Sequence, residues 1–187
     1  SILHQRKRDV CHLELCNELY LHQVSRGKHF HLEQPYGSEM TKQPQLSDVV
    51  TGTLPAFFDM CQAGKLRAPN QKHFLRKRTQ VLTTSRSMHA MLHSQNCTHD
   101  HTHQPIQGSV QGLDHKWIKV SAYAAAYTAV FARKIAQGIN RGKQVQEKPL
   151  LLEELLVGED VEMREGANKR PMAQEVLELR KIGRAHV

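Results

Sequence analysis

The 187-residue sequence predicts an α/β layered domain. Apolar residues recur at helical spacing in some segments and at every second position in others, and the two patterns alternate along the chain. Glycine, proline and serine punctuate the changes, as expected where helices hand over to strands. Segments of this kind stack helices on a sheet around one core. A hydrophobic fraction of 39% in a chain of this length is enough to build that core.

Taken in order, Val10, Leu13, Cys16, Leu19 or Tyr20, and Val24 mark a first helix, and Gly27 supplies its stop. The same spacing puts Cys11 and Cys16 on or near the apolar face as core residues. KHFHLEQP follows, with Phe30 and Leu32 alternating against His29, His31 and Glu33 until Pro35 closes a strand. Those two histidines beside Glu33 read either as a polar cleft or as a solvent-facing edge. Short helices are expected at residues 38–43 and 45–50, punctuated by Pro44 and Gly52. LPAFFDMC and KRTQVLTT are further strands, and Ser85 caps a short helix carrying Met88, Met91 and Leu92. After a histidine-rich loop, Ser121 starts the strongest helix, with Tyr123, Tyr127, Val130, Phe131 and Ile135 on its face and Gly138 near its end.

Charge changes sign along the chain. Residues 1–142 hold 18 Lys and Arg against 9 Asp and Glu, whereas residues 147–180 hold 5 against 9. We therefore expect an ordered unit over 1–142 and a poorly packed acidic linker with short helices over 143–180. The last six residues, IGRAHV, back-translate to ATCGGAAGAGCACACGTC, which looks like a short-read sequencing adapter. Segment 181–187 is accordingly expected to be adapter read-through, and the chain an internal fragment of a larger translated product. The sequence shows no secretory leader and no apolar run long enough for a bilayer. Four scattered cysteines do not make a secreted disulfide scaffold, so the expected setting is intracellular, nucleus or cytoplasm, with no membrane partner.

Chemistry concentrates in CTHDHTHQPIQG, residues 97–108. In an extended run, alternate side chains stand about 6–7 Å apart, too far to share one ion. A turn brings two or three of them together, and Cys61 in FFDMCQAG is the best ligand from outside. Cys61, Cys97 and a His-x-His pair then make a tetrahedral zinc set, its donors within about 4 Å of one another. The residues equally allow a buried core Cys61 and solvated histidines. Arg76, Lys77 and Arg78 form a basic run able to grip nucleic-acid phosphates weakly, or to serve as a solvated face.

HFHLEQP, FFDMCQAGKL, RKRTQVLTTS and CTHDHTHQPIQG, in that order, resemble a domain of copia-type retroelement polyproteins. That domain looks like the C-terminal half of a DNA-cytosine-methyltransferase-like fold, and the likeness covers roughly residues 8–139. It implies a partial Rossmann-like sheet with flanking helices, and a vestigial catalytic role for Glu33 at a strand end. The enzyme family has asparagine after this glutamate, where Gln34-Pro35 stands here. RKRTQVLTTS resembles the motif that sets an arginine near the active site, with Arg78 nearest. Asp-x-Cys, then Cys, then His-x-His recurs in the resembled family, and that order selects His101 and His103 as the ligand pair, leaving His99 outside. No Pro-Pro-Cys tripeptide is present, and no Gly-rich turn precedes the first helix, so the reaction cannot be completed by these residues. The expected function is a degenerate methyltransferase-like module for nucleic-acid binding or for assembly with other segments of a parent polyprotein. Two alternatives stay open: a truncated base-modifying enzyme without its donor-binding half, and a zinc-stiffened structural module.

Overall fold

The computed structural model describes residues 2–150, with side chains from residue 9 onward. The acidic stretch beyond 150 and the expected read-through at 181–187 lie outside the described residues. The chain opens with α1, Ile2–Ser25, and the left-handed Gly27 (φ 66°) turns it back. Strand β1, His31–Pro35, is followed by two 3-10 turns (Glu39–Lys42 and Pro44–Leu46) and the short α2, Ser47–Thr51. Strand β2, Leu54–Asp59, runs straight into α3, Met60–Ala63. Next come β3 (Phe74–Leu75), β4 (Arg78–Thr83) and α4 (Arg86–Leu92), whose expected cap is present: the Ser85 side chain accepts from the Met88 N–H. The two-residue β5, His103–Gln104, and a hairpin of β6 (Ser109–Gln111) and β7 (Trp117–Lys119) lead to α5 (Val120–Tyr123) and α6 (Ala129–Gln144).

The central sheet has the order β1-β4-β2, and both pairings are antiparallel. Period-two alternation along β4 divides the core. Val81 faces a cluster with Ala56, Phe58, Met88, Leu92 and Phe131. Leu82, opposite Leu32 in register, faces the other way, toward Tyr20, Leu46 and Val49. Helices therefore cover both faces, and the mixed helix-and-strand layering expected from the sequence is present. A Rossmann-type unit rests on parallel strands, and this sheet has none. Among the described strands, β3 and β5 pair in parallel, as a separate two-residue contact that positions His103.

Three sequence expectations change. The helix expected to run unbroken from Ser121 is two helices: α5 stops at Tyr123, and α6 starts at Ala129, capped by Thr128. Its hydroxyl donates to the Gly64 carbonyl at 2.6 Å and accepts from the Phe131 N–H. Of the two cysteines of α1, Cys16 packs against the core but Cys11 is exposed. Third, α6 continues past Gly138, and the packed chain continues past residue 142. Gly138 lets α6 press on α4, since a Cβ there would lie 2.9 Å from the Met88 sulfur. Beyond it, Glu147 accepts hydrogen bonds from Ser85, Arg86 and Ser87 at the start of α4. Leu150 is 1% exposed, and its N–H donates to the Thr84 carbonyl at 2.9 Å. Among the described residues, no helix is long and apolar enough to cross a membrane.

Candidate metal centre

Strand β2 ends at Asp59, and the reversal into α3 places Cys61 in the first helical turn, fully buried. Segment 95–97 runs alongside that strand end. Phe58 bridges Gln95, and the Asp59 N–H donates to the Gln95 carbonyl at 3.0 Å. Asp59 occupies the cap position of α3 but does not cap it. Instead its Oδ2 accepts from the Cys97 N–H at 2.9 Å, and its Oδ1 accepts from Arg76 Nε at 3.3 Å. This carboxylate, 1% exposed, fixes Cys97 beside Cys61.

The histidines arrive from the other side. His99 adopts a left-handed backbone (φ 61°), so the run bends where an extended strand would carry its side chains apart. The bend lets His103 pair with Phe74 in the β3–β5 ladder, and the Phe74 N–H donates to the Thr102 carbonyl at 3.1 Å. His101 then packs against the Phe74 ring at 4.2 Å between centroids, and its own ring lies 4.6 Å from that of His103.

The outcome is a cluster of Cys61, Cys97, His101 and His103 whose donor atoms all lie within 4.8 Å of one another. That spread is a little wider than the 4 Å expected from the sequence. In a tetrahedral zinc site, Zn–S of about 2.3 Å and Zn–N of about 2.0–2.1 Å place S and N about 3.5 Å apart. Two edges already have this length: Cys97 Sγ is 3.4 Å from His103 Nε2 and 3.6 Å from His101 Nε2. His99 stands outside the cluster, contributing only its N–H to Cys97 Sγ at 3.3 Å.

Both the donor set and its surroundings suit a metal ion. His101 turns Nε2 inward while Nδ1 meets Asp100 Oδ1 at 2.6 Å, the carboxylate–histidine arrangement that orients a ligating ring. The histidine contact in turn holds the Asp100 carboxyl below its ordinary range. Burial pushes the Cys61 thiol up to about 12, with the hydrogen bond to Cys97 and the charges of Cys97 and Asp59 adding to it. Burial, with His101 and His99 nearby, holds the pKa of His103 below its usual value, which favours the neutral ring. A neutral imidazole is ready to ligate, and a bound cation would reverse the thiol's preference for its proton. These four residues could hold a metal ion.

The remaining sequence candidates lie elsewhere. Glu33 is at β1, where its Oε2 accepts from the Tyr127 hydroxyl at 2.9 Å and its Oε1 faces Lys77 Nζ at 3.7 Å, beyond hydrogen-bonding range. Burial and Glu33 together push the Tyr127 hydroxyl up to about 12. Glu33, His31 and Tyr127 line a cleft of about 290 Å³ closed by Val81, Met88, Phe131 and Ile135. His31 Nδ1 sits 2.7 Å from the Thr83 hydroxyl, and burial together with His29 lowers its pKa to about 4. Arg76, Lys77 and Arg78 each meet a different partner: Arg76 pairs with Asp59, Lys77 faces Glu33, and Arg78 lies 4.1 Å over the Tyr36 ring.

Sequence reasoning left Asp59 and Asp100 without roles. Asp59 was visible only as the first residue of Asp-x-Cys, and Asp100 as the neighbour of a candidate ligand. Comparison with protein-family models, with curated proteins and with solved structures found no significant match.

Proposed function

We propose that the chain is a zinc-stiffened structural module in which Cys61, Cys97, His101 and His103 hold one Zn²⁺. The observation that carries this reading is the convergence of two sulfurs and two imidazole nitrogens from two separate segments, Cys61 and the run 97–103. Mixed sulfur and nitrogen donors in a tetrahedral set suit zinc. All four positions would be filled by protein, which suits a structural ion and leaves none for a substrate. Residues 95–104 hold no large aliphatic side chain, so a metal would supply the order that packing cannot. Reduced cysteines at such a site fit an intracellular setting. The test is metal analysis of the full chain, with cobalt substitution. One equivalent per chain and an intense tetrahedral cobalt spectrum are expected, and both should vanish in Cys97→Ser. A weak, six-coordinate spectrum would remove the reading.

A second reading keeps the resemblance: a degenerate methyltransferase-like half-domain from a retroelement polyprotein, or a base-modifying enzyme cut from its donor-binding half. Its support is Glu33 at strand β1, beside a cleft and bonded to Tyr127. The Rossmann-like arrangement belongs to this reading and would need further strands beyond the antiparallel three. Weak nucleic-acid binding through Arg76, Lys77 and Arg78 also belongs here, although each would have to leave an existing partner. The upstream reading frame decides between its two forms. A Gly-rich turn and a Pro-Pro-Cys loop there favour the enzyme, and their absence favours the binding module.

A further inference from the structure

The β6–β7 hairpin has one inward face and one outward face. Val110 and Ile118 pair in register and are half-buried, with Val110 packed on the core, while Ser109, Gln111, Trp117 and Lys119 are exposed on the other side. Trp117, the chain's single tryptophan, is 74% exposed, and Leu113 in the connecting turn is 72% exposed. A large ring left in water at the turn end of a hairpin face does nothing for the core.

The hairpin carries two lysines, Lys116 and Lys119; Lys116 Nζ lies 3.7 Å from Asp114 Oδ2, and Lys119 is on the same exposed face as Trp117. The hairpin is also rigid where it needs to be. The Gly112 N–H donates to the Lys116 carbonyl at 2.8 Å, and Gln111 Nε2 donates to the His115 carbonyl at 2.9 Å, which pins the turn. Gln111 lies opposite Trp117 and Ser109 opposite Lys119, so polar side chains border the ring and the cation.

An exposed aromatic ring with a lysine and polar side chains on the same face is an arrangement on which an unpaired base stacks while the lysine meets a phosphate. We propose that this hairpin face binds single-stranded nucleic acid, with Trp117 as the stacking platform and Lys119 as a phosphate contact. A bilayer would call for a broader apolar surface than one ring beside Gln111 and Ser109. The site does not involve the four metal ligands, and it is distinct from the Arg76–Arg78 run.

The test uses the full chain, with metal content measured in every sample so that loss of the zinc site is seen separately. Trp117 emission should be quenched by a fluorescein-free oligothymidylate 12-mer at low salt, with affinity falling as salt rises. Anisotropy of the same 12-mer carrying a label follows the variants that lack tryptophan. Trp117→Ala should weaken binding by about 5- to 100-fold, and Trp117→Phe should retain most of it. Lys119→Ala should shallow the salt slope by about 0.7. Far-ultraviolet circular dichroism verifies that each variant keeps its fold. Undiminished binding by Trp117→Ala overturns the proposal. So does an emission change with phosphatidylserine vesicles and none with the 12-mer, which would assign the face to a lipid surface.

Discussion

At the scale of single residues, Asp59 does more than its position in the chain suggests. It is nearly fully buried, receives the Cys97 N–H and the Arg76 guanidinium, and so joins the metal cluster to the basic run. Replacing it with asparagine keeps the shape but removes the charge and turns one oxygen into a donor. Asp59→Asn should lower stability by about 1–3 kcal/mol in urea unfolding, since it weakens a charge-assisted bond and leaves a buried group badly paired. An unchanged midpoint would mean that Cys97 is held by other contacts. Asp100 acts on the same site from the exposed side, through His101 Nδ1. Asp100→Asn should reduce zinc affinity by at least about tenfold, as loss of an orienting partner does, with little change in the stability of the metal-free chain. Competition with a chromophoric chelator measures it.

Among the elements, α4 depends on a residue far along the chain. Glu147 lies about sixty positions after the helix start, yet its carboxylate accepts from the Ser87 N–H at 3.2 Å and from the Ser85 hydroxyl at 3.1 Å. Burial works against its charge, but the bonds from Ser87, Ser85 and Arg86 outweigh it and bring the pKa below 4.5. A carboxylate depressed in this way stabilises the fold fully above its unfolded value near 4.5, and loses that contribution as pH falls through the lower folded value. Glu147→Gln should therefore lower stability by about 1 kcal/mol at pH 7 and by progressively less as pH falls below about 4.5. Thermal unfolding of both proteins across that range provides the comparison, and a pH-independent difference would assign the effect to packing.

The same scale shows which elements were legible in the sequence. β1 announces itself by alternation, Phe30 and Leu32 against His31 and Glu33, whereas β4 is covered on both faces and sends the adjacent Val81 and Leu82 into opposite layers. The two cysteines and the His-x-His were legible as residue types, and the order of segments pointed to the right pair. The break between α5 and α6 was not legible, because Thr128, which caps α6, is also tied to the Gly64 carbonyl, 64 residues away. Nor was the bend at His99, whose left-handed backbone is available to histidine but not specified by it. Asp59 and Glu147 were missed for the same reason. Their partners are distant in sequence, and an acidic residue at a strand end or after a helix has no periodicity to mark it.

For the whole molecule, the charge reversal and fading periodicity placed the edge of the ordered unit at residue 142, and the packing extends it. Residues 143–150 return to the first part of the chain at three places. The Glu147 carbonyl meets His29 Nε2 at 3.0 Å, its side chain caps α4, and Leu150 is sealed beside Thr84. Fully burying a leucine is worth about 1.5–3 kcal/mol, and a cap about 1 kcal/mol. A chain ending at residue 142 should thus be less stable than one ending at 155 by about 3 kcal/mol, a large part of the total stability of a domain this size. Urea unfolding of the two truncations measures the difference. Zinc should bind both equally at low denaturant, because the four proposed ligands lie between Cys61 and His103, and the described contacts of residues 147–150 fall on His29, Thr84 and the start of α4. Equal midpoints would return the boundary to 142. A loss of zinc in the shorter chain, with its fold otherwise intact, would show that the metal site and the C-terminal return are coupled through the core.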